Sequence, residues 1–390
     1  MVLENDFPPD IRVEKEIKTL INAGYEVILA CSSSTTKDSI SSWRGATIIK
    51  KRMPKFIYKT SAICLEVPIY FNFWHKFLED LFSEYKFDAI HLHDLPLIKV
   101  IDKLSKKYNV PYLLDLHENR PEVMKTYEHV KSFPGNLLIS PERWKGYEEK
   151  FIRNAKTVLV VTNEAKDYYI KQLSLKDDNI HVISNFIDLK EFSNFKLDLG
   201  IVGKCKDKFS VVYLGDTGSR RGTIDILKVA NVMRDKNNDI EFIIIGTSKI
   251  QKKLHNLVKK WDLKNVRLNG WLPLSVAYSY LIAAKVGICP LHRNIHHDTT
   301  YANKIFHYMA AKLPVLVSDC EAQAKVVRKE DCGLVFEAEN VEDMKEKIMH
   351  FYLNPQDIKR MGLNGEKAVL EKYNWEKEAA KLRAIYKNLE

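Results

Sequence analysis

A repeated local pattern constrains this chain more than any other feature. Short apolar runs are followed by a polar or glycine-bearing turn and then by an amphipathic helix. In the first half, residues 25–31 (YEVILAC), 87–91, 112–116, 157–161 and 180–183 read as buried strands. After a break near 192–200 the series restarts with 209–214 (FSVVYL), 240–245, 266–268, 286–289, 315–317 and 333–336. Strands that alternate with helices specify a parallel sheet covered by helices on both faces, and two such series specify two domains. A length of 390 residues agrees, because one core rarely grows that large.

The expected fold is therefore α/β, two Rossmann-like domains facing one another across a cleft. Residues 1–195 form the first domain, 196–374 the second, and a last helix, 375–390, joins the first. No run of about 18 apolar residues exists, so no membrane span is expected. The N-terminus lacks a basic-then-apolar leader, and the six cysteines are scattered with no C-x-x-C. Both point to a reduced, cytoplasmic protein.

The segment 298–320 (DTTYANKIFHYMAAKLPVLVSDC) carries the strongest sign of a ligand. Thr299 and Thr300 stand where helix caps stand, and a helix is predicted from Tyr301. Ile305, Phe306, Met309 and Leu313 share its buried face. The free end of such a helix attracts anions, and Lys304 and His307 lie close to it. A second element of the same kind is 215–222 (GDTGSRRG). Its glycines allow close backbone approach, and Arg220 and Arg221 can pair with phosphate oxygens. It lacks the Gly-Lys-Ser/Thr of a Walker loop and does not match G-x-G-x-x-G. The net charge of +10 falls almost wholly in the second half, which suits an anionic ligand there. No nucleic-acid motif accompanies it, so no nucleic-acid partner is expected.

In the first half, polar clusters end two consecutive strands, His91-Leu92-His93-Asp94 and Asp115-Leu116-His117-Glu118. Carboxyl ends of parallel strands are where open α/β sheets bind ligands. The clusters read as hydrogen-bonding or catalytic groups. Neither has an H-x-x-x-H spacing, and no metal site is predicted. His292 and His296 do have that spacing, but in a loop with no Glu beside them, and they read as solvated. Residues 44–77 combine basic side chains with Phe56, Tyr58, Tyr70, Phe71, Phe73, Trp74 and Phe77. Charge plus rings is what a peripheral membrane contact needs.

In order and spacing these pieces resemble the retaining GT-B glycosyltransferases of family 4 over nearly the whole chain. The matching residues are Phe7-Pro8-Pro9-Asp10, Asp115 to Glu118, 182–188 (VISNFID), the 215–222 loop, Gly270-Trp271, Asn303 to Met309 with Pro314, and Tyr373-Asn374-Trp375. The resemblance implies transfer of a sugar from a nucleotide-sugar co-substrate to a glycan or lipid-linked acceptor, in surface polysaccharide or glycoconjugate synthesis. It implies no metal and no other cofactor. It places Gly215, Gly218, Arg220, Arg221, Gly270, Trp271, Leu272, Thr299, Thr300, Asn303, Lys304 and His307 at the donor, and His117 and Glu118 at the reacting sugar. The chain departs from the family at five places. The family's loop Arg and Lys are Asp216 and Arg221 here, its two glutamates are Thr299 and His307, and its N-terminal loop has lost its glycines. A non-catalytic partner subunit or a nucleotide-sugar epimerase are the alternatives. With a lipid-linked acceptor, the protein is expected at the inner face of the cytoplasmic membrane.

Overall fold

The computed structural model describes residues 1–133, 135–205, 208–234 and 239–389. Residue 390, the end of the predicted last helix, lies outside them. The chain divides into two compact units, Met1–Asn185 with Glu378–Glu390, and Phe186–Lys377.

The first unit is built on an eight-stranded sheet. Its spatial order is Ser39–Trp43, Ala46–Arg52, Ile28–Ser33, Val2–Leu3, Ile90–His93, Tyr112–Leu116, Thr157–Val160, Ile180–Val182. All neighbours are parallel except the first pair. That pair is a hairpin turning at Arg44 and Gly45, both at positive φ, as a tight two-residue turn requires. The sequence reading predicted no strand here and gave the basic residues from Arg44 on to a peripheral membrane contact. Strand Ala46–Arg52 carries its lysines on an outer part of the sheet, so its pairing was masked by its charge.

The predicted aromatic surface is also largely corrected. Helix Ile69–Glu84 buries Tyr70, Phe71, Trp74 and Phe77 in the core of this unit, at helical spacing. Lys50 pairs with Asp6 and Lys51 with Asp38. Phe56 and Tyr58, on the short helix Lys55–Lys59, remain exposed. No described helix is long and apolar enough to cross a membrane.

The second unit holds six parallel strands in the order Val266–Gly270, Ile240–Ile245, Phe209–Leu214, Val286–Cys289, Val315–Ser318, Gly333–Phe336. Alternate residues point to opposite faces, and both faces are packed. Val212, Ile243 and Val317 enter one core, and Val211, Ile244 and Leu316 enter the other. This double burial is why these strands are continuous apolar runs. In both sheets chain order reverses beside the first strand of the unit, between Val2–Leu3 and Ile90–His93, and between Phe209–Leu214 and Val286–Cys289. Ligand crevices in open α/β sheets form at such reversals.

The boundary falls before Phe186 rather than at 195/196. Phe186 packs its ring against Phe306, Tyr373 and Tyr301 at 4.7, 5.4 and 5.8 Å, which ties it to the second unit. Trp375 donates its backbone N–H to the Ile187 carbonyl at 2.8 Å, so the chain returns to the first unit only from Glu378. There Glu378 accepts the Ser184 N–H at 2.9 Å, and Tyr386 meets His91 at 2.7 Å.

Candidate active-site residues in each unit

In the second unit three strand ends lie side by side. Gly215 donates to the Ile245 carbonyl at 2.8 Å, and Gly246 donates to the Gly270 carbonyl at 2.6 Å. Gly246 sits at φ +142, and a Cβ there would fall 1.8 Å from the Gly215 carbonyl oxygen, so only glycine lets the two turns touch. Lys304 reaches into the same place. Its Nζ lies 3.8 Å from the centre of the Tyr213 ring, and its end would crowd a side chain built on Gly215, with Cε at 3.3 Å. Burial lowers the Lys304 ammonium to a pKa of about 8, with Arg221 adding repulsion. A buried ammonium against a ring face and a glycine turn is arranged to receive a negative charge.

Arg221 lies in the turn after that strand, and its Nε is 3.4 Å from Asp216 Oδ2. Asp216 Oδ1 accepts the Gly218 N–H at 3.1 Å. Asp216 therefore occupies Arg221 where the resemblance expects a second cation. Gly222 fixes the turn at φ +69, with the Pro290 carbonyl against it.

The predicted helix caps are corrected. Helix Lys304–Ala310 has seven residues and starts after Asn303, which makes no side-chain cap. Its dipole is that of a very short helix, and the charge of Lys304 outweighs it. Thr299 instead donates to the Ile295 carbonyl at 2.7 Å and Thr300 to the His296 carbonyl at 2.7 Å, closing the preceding helix Ile295–Asp298. The buried face is as expected, with Ile305, Phe306, Met309 and Leu313 in the core. His307 lies on the same helix with its ring 5.9 Å from Phe192. Trp271 is 71% exposed beside half-buried Leu272, just past Gly270.

His292 and His296 were read as solvated, but His296 is buried, as is its neighbour His297. Burial holds them neutral, at about 2 and about 3, with Arg220 and Arg221 adding to the shift. His292 bonds Asp225 at 2.7 Å, which raises its pKa.

The first unit gathers a different chemistry. Asp115, buried at its strand end, faces three imidazoles. Its Oδ2 lies 2.7 Å from His117 Nε2, 3.4 Å from His91 Nε2 and 3.5 Å from His93 Nδ1. Burial opposes its ionisation, but His117, His91 and His93 more than offset this and hold it well below the carboxylate range. Glu16, on helix Ile11–Asn22, approaches His91 and His93 at 3.6 and 3.8 Å. Burial and the neighbouring Asp115 push its pKa well up. Burial pushes His93 down to about 3. Asp10 caps the same helix and pairs with Arg12 at 3.0 Å, and Arg12 also meets Asp94 at 3.7 Å. The glycine-free N-terminal turn thus works through its carboxylate. Half-buried Glu118 follows His117 and adds its charge beside Arg120.

So the structure brings Gly215, Gly218, Arg221 and Lys304 together, and separately His117 with Asp115, His91, His93 and Glu16. Sequence reasoning missed Tyr213, Gly246 and Glu16. Glu16 did leave a signal, as a carboxylate within the apolar stripe Val13, Ile17 and Leu20. The expectation of no metal site tested spacing along one segment. Donor atoms of Glu16, His93, Asp115 and His117, from separate elements, lie within 4.8 Å of one another.

Comparison with known proteins gives a consistent family. A model described as Glycosyltransferase Family 4 matches residues 12–191, and one described as Glycosyl transferases group 1 matches residues 208–354. An uncharacterized glycosyltransferase of Methanocaldococcus jannaschii is 23% identical over 324 residues, 81% of this chain and 90% of that protein. Sucrose-phosphate synthase from Thermosynechococcus elongatus superposes with a TM-score of 0.76 at 19% identity, over 97% of this chain and 92% of that one. An E. coli trehalose-6-phosphate structure bound with UDP-2-fluoro glucose also gives 0.76, at 12% identity, over 100% and 98%. These last two share the two-domain GT-B fold.

Proposed function

Since the chain belongs to the group 1, family 4 glycosyltransferases, we propose that its second unit holds a nucleotide-diphosphate sugar whose sugar is passed to a hydroxyl of a glycan or lipid-linked acceptor. The observation that carries the donor assignment is Lys304, its ammonium buried over Tyr213 at the Gly215 turn with Arg221 close by. Breaking the bond from the anomeric carbon to the leaving oxygen puts negative charge on the diphosphate. Lys304 and Arg221 are fixed where that charge develops, and preorganised charge of this kind commonly contributes about 10²–10³ in rate. Two cations supply this without a metal at the diphosphate. In this reading Trp271 offers a ring for the base, Thr299, Thr300 and Asn303 precede Lys304 in the chain on the donor side, and His307 is the hydrogen-bonding group toward the ribose.

On the acceptor side, His117 is held by Asp115 and can hydrogen-bond the reacting sugar, with Glu118 next to it. Retention at the anomeric carbon has the acceptor oxygen arriving on the face the phosphate leaves. The departing phosphate oxygen can then take the acceptor's proton. The structure of the E. coli protein bound with UDP-2-fluoro glucose supports a uridine donor as the first to try. The test is a thermal-shift screen of nucleotide sugars, followed by product analysis with the donor that stabilises the protein. A stabilising donor and an α-linked product from an α-linked donor are expected. An isomerised donor with no acceptor present, or stabilisation by no nucleotide sugar at all, would overturn the proposal.

Membrane contact, if the acceptor is lipid-linked, falls to Lys55, Phe56, Tyr58 and Lys59, the exposed remainder of the 44–77 segment. Co-sedimentation with anionic vesicles at physiological salt is expected, and its loss in Phe56→Ser. No binding by the unaltered protein removes this part alone.

A further inference from the structure

We propose that Glu16, His93, Asp115 and His117 form a binding site for one divalent transition-metal ion, zinc in the first instance, inside the first unit. Each residue offers one donor atom, and the four atoms lie within 4.8 Å of one another. His93, Asp115 and Glu16 are buried, and the His117 side chain is 8% exposed.

The second observation is what these groups lack. Both ring nitrogens of His93, both of His117, and Glu16 Oε2 are buried without a hydrogen bond of proper geometry among the described residues. Buried polar atoms are nearly always satisfied, and several unsatisfied atoms converging on one point call for a shared partner. His93 lies 3.5 Å from Asp115 and 3.8 Å from Glu16, and His117 Nε2, though 2.7 Å from Asp115 Oδ2, does not meet it with hydrogen-bond geometry.

The donor set identifies the partner. Two imidazoles and two carboxylates suit zinc, and the two carboxylates balance its charge. Tetrahedral bonds of about 2.0–2.1 Å place donors about 3.3–3.4 Å apart. Measured from Asp115 Oδ2, the separations of 2.7 Å to His117 Nε2 and 3.5 Å to His93 Nδ1 lie on either side of that value. His93 ligates through one nitrogen and leaves the other to a carboxylate. His91 supports the ligands from behind, with Nδ1 on the Tyr386 hydroxyl at 2.7 Å and Nε2 on Asp115 at 3.4 Å. Arg12, whose charge reaches Glu16, is already met by Asp10 and Asp94. Four protein donors close the coordination shell, so the ion fastens helix Ile11–Asn22 to the strand ends and sets the ring of His117. It is no part of the Lys304 and Arg221 group, and diphosphate binding there needs no metal.

The experiment uses the full chain, stripped with chelator and titrated with Zn²⁺ alone against a chromophoric competitor, with Co²⁺ as a spectroscopic probe. One ion per chain, the visible absorption of four-coordinate cobalt and a raised melting temperature are expected. His93→Ala and the nearly isosteric Glu16→Gln should each weaken binding at least about tenfold. His255→Ala, at an exposed histidine, should not change it. Circular dichroism of the metal-free variants checks that they are folded, and Glu16→Gln decides if His93→Ala is not. Absence of Zn²⁺ binding below about 100 µM by the unaltered chain, or binding unchanged in both variants, overturns the proposal.

Discussion

The two units share a six-strand parallel order, to which the first adds a strand at each edge, and differ in what they place at its reversal. In the second, the strand ends are glycines, and the charges beside them are an ammonium and a guanidinium. In the first, the ends are imidazoles and carboxylates gathered in a buried cluster. Common topology supplies a crevice, and residue type decides whether it takes an anion or holds a proton or a cation. The second group is cationic, with the Lys304 ammonium buried and Arg221 partly exposed. The first is buried and carries polar atoms without hydrogen bonds.

The comparison breaks first at Lys304. Lys304→Met should weaken donor binding and lower turnover together, by about 10²–10³ in kcat/KM. Asp115→Asn should lower kcat by about 10² through misplacement of His117, and leave the donor's dissociation constant unchanged. Calorimetry with donor and steady-state kinetics on both variants decide the matter. If Asp115→Asn weakens the donor as much as Lys304→Met does, the two sites are not separate in function.

Acidity sharpens the contrast. Lys304 in the free protein loses its proton at about pH 8. Only the charged form pairs with a diphosphate, so binding raises this pKa. Donor affinity should be flat below about pH 7 and fall by about tenfold per unit above pH 8 until the pKa of the complex is reached. Titration calorimetry across pH 6–10, with Lys304→Met as the flat control, checks the sign. Gly246→Ala should cost about 1–3 kcal/mol of stability, read from the melting temperature, because its Cβ meets the Gly215 carbonyl. The smallest change is expected from Asp216→Asn. Freed from its carboxylate, Arg221 should bind donor a few-fold more tightly, in keeping with a partly exposed ion pair.

Much of this was readable in the chain. The fully buried strands of the second unit are unbroken apolar runs, and Gly215, Arg221 and Lys304 announce themselves as a glycine turn and a cationic helix start. The edge hairpin was hidden because Ser39–Trp43 is polar and exposed, with no apolar face to show. The aromatics of helix Ile69–Glu84 looked like surface because density of rings was weighed above their helical period. Tyr213 left no local signal, and Glu16 left only that of a carboxylate in an apolar stripe, without its partners. Each acts on a partner far along the chain, Lys304 and the His93–Asp115 pair, and only packing brings them into register. The misplaced boundary has the same cause, since Phe186 belongs to the second unit only through rings more than a hundred residues later.

The last helix has a consequence for biosynthesis. Ser184 and His91 find partners in Glu378 and Tyr386, residues that leave the ribosome after the whole second unit has been made. The first unit must therefore wait with a backbone donor unmet and an imidazole half satisfied, although it is synthesised first. Its completion waits on residues made after the second unit, so a polypeptide stalled or clipped before Glu378 would be left unfinished in the unit made first.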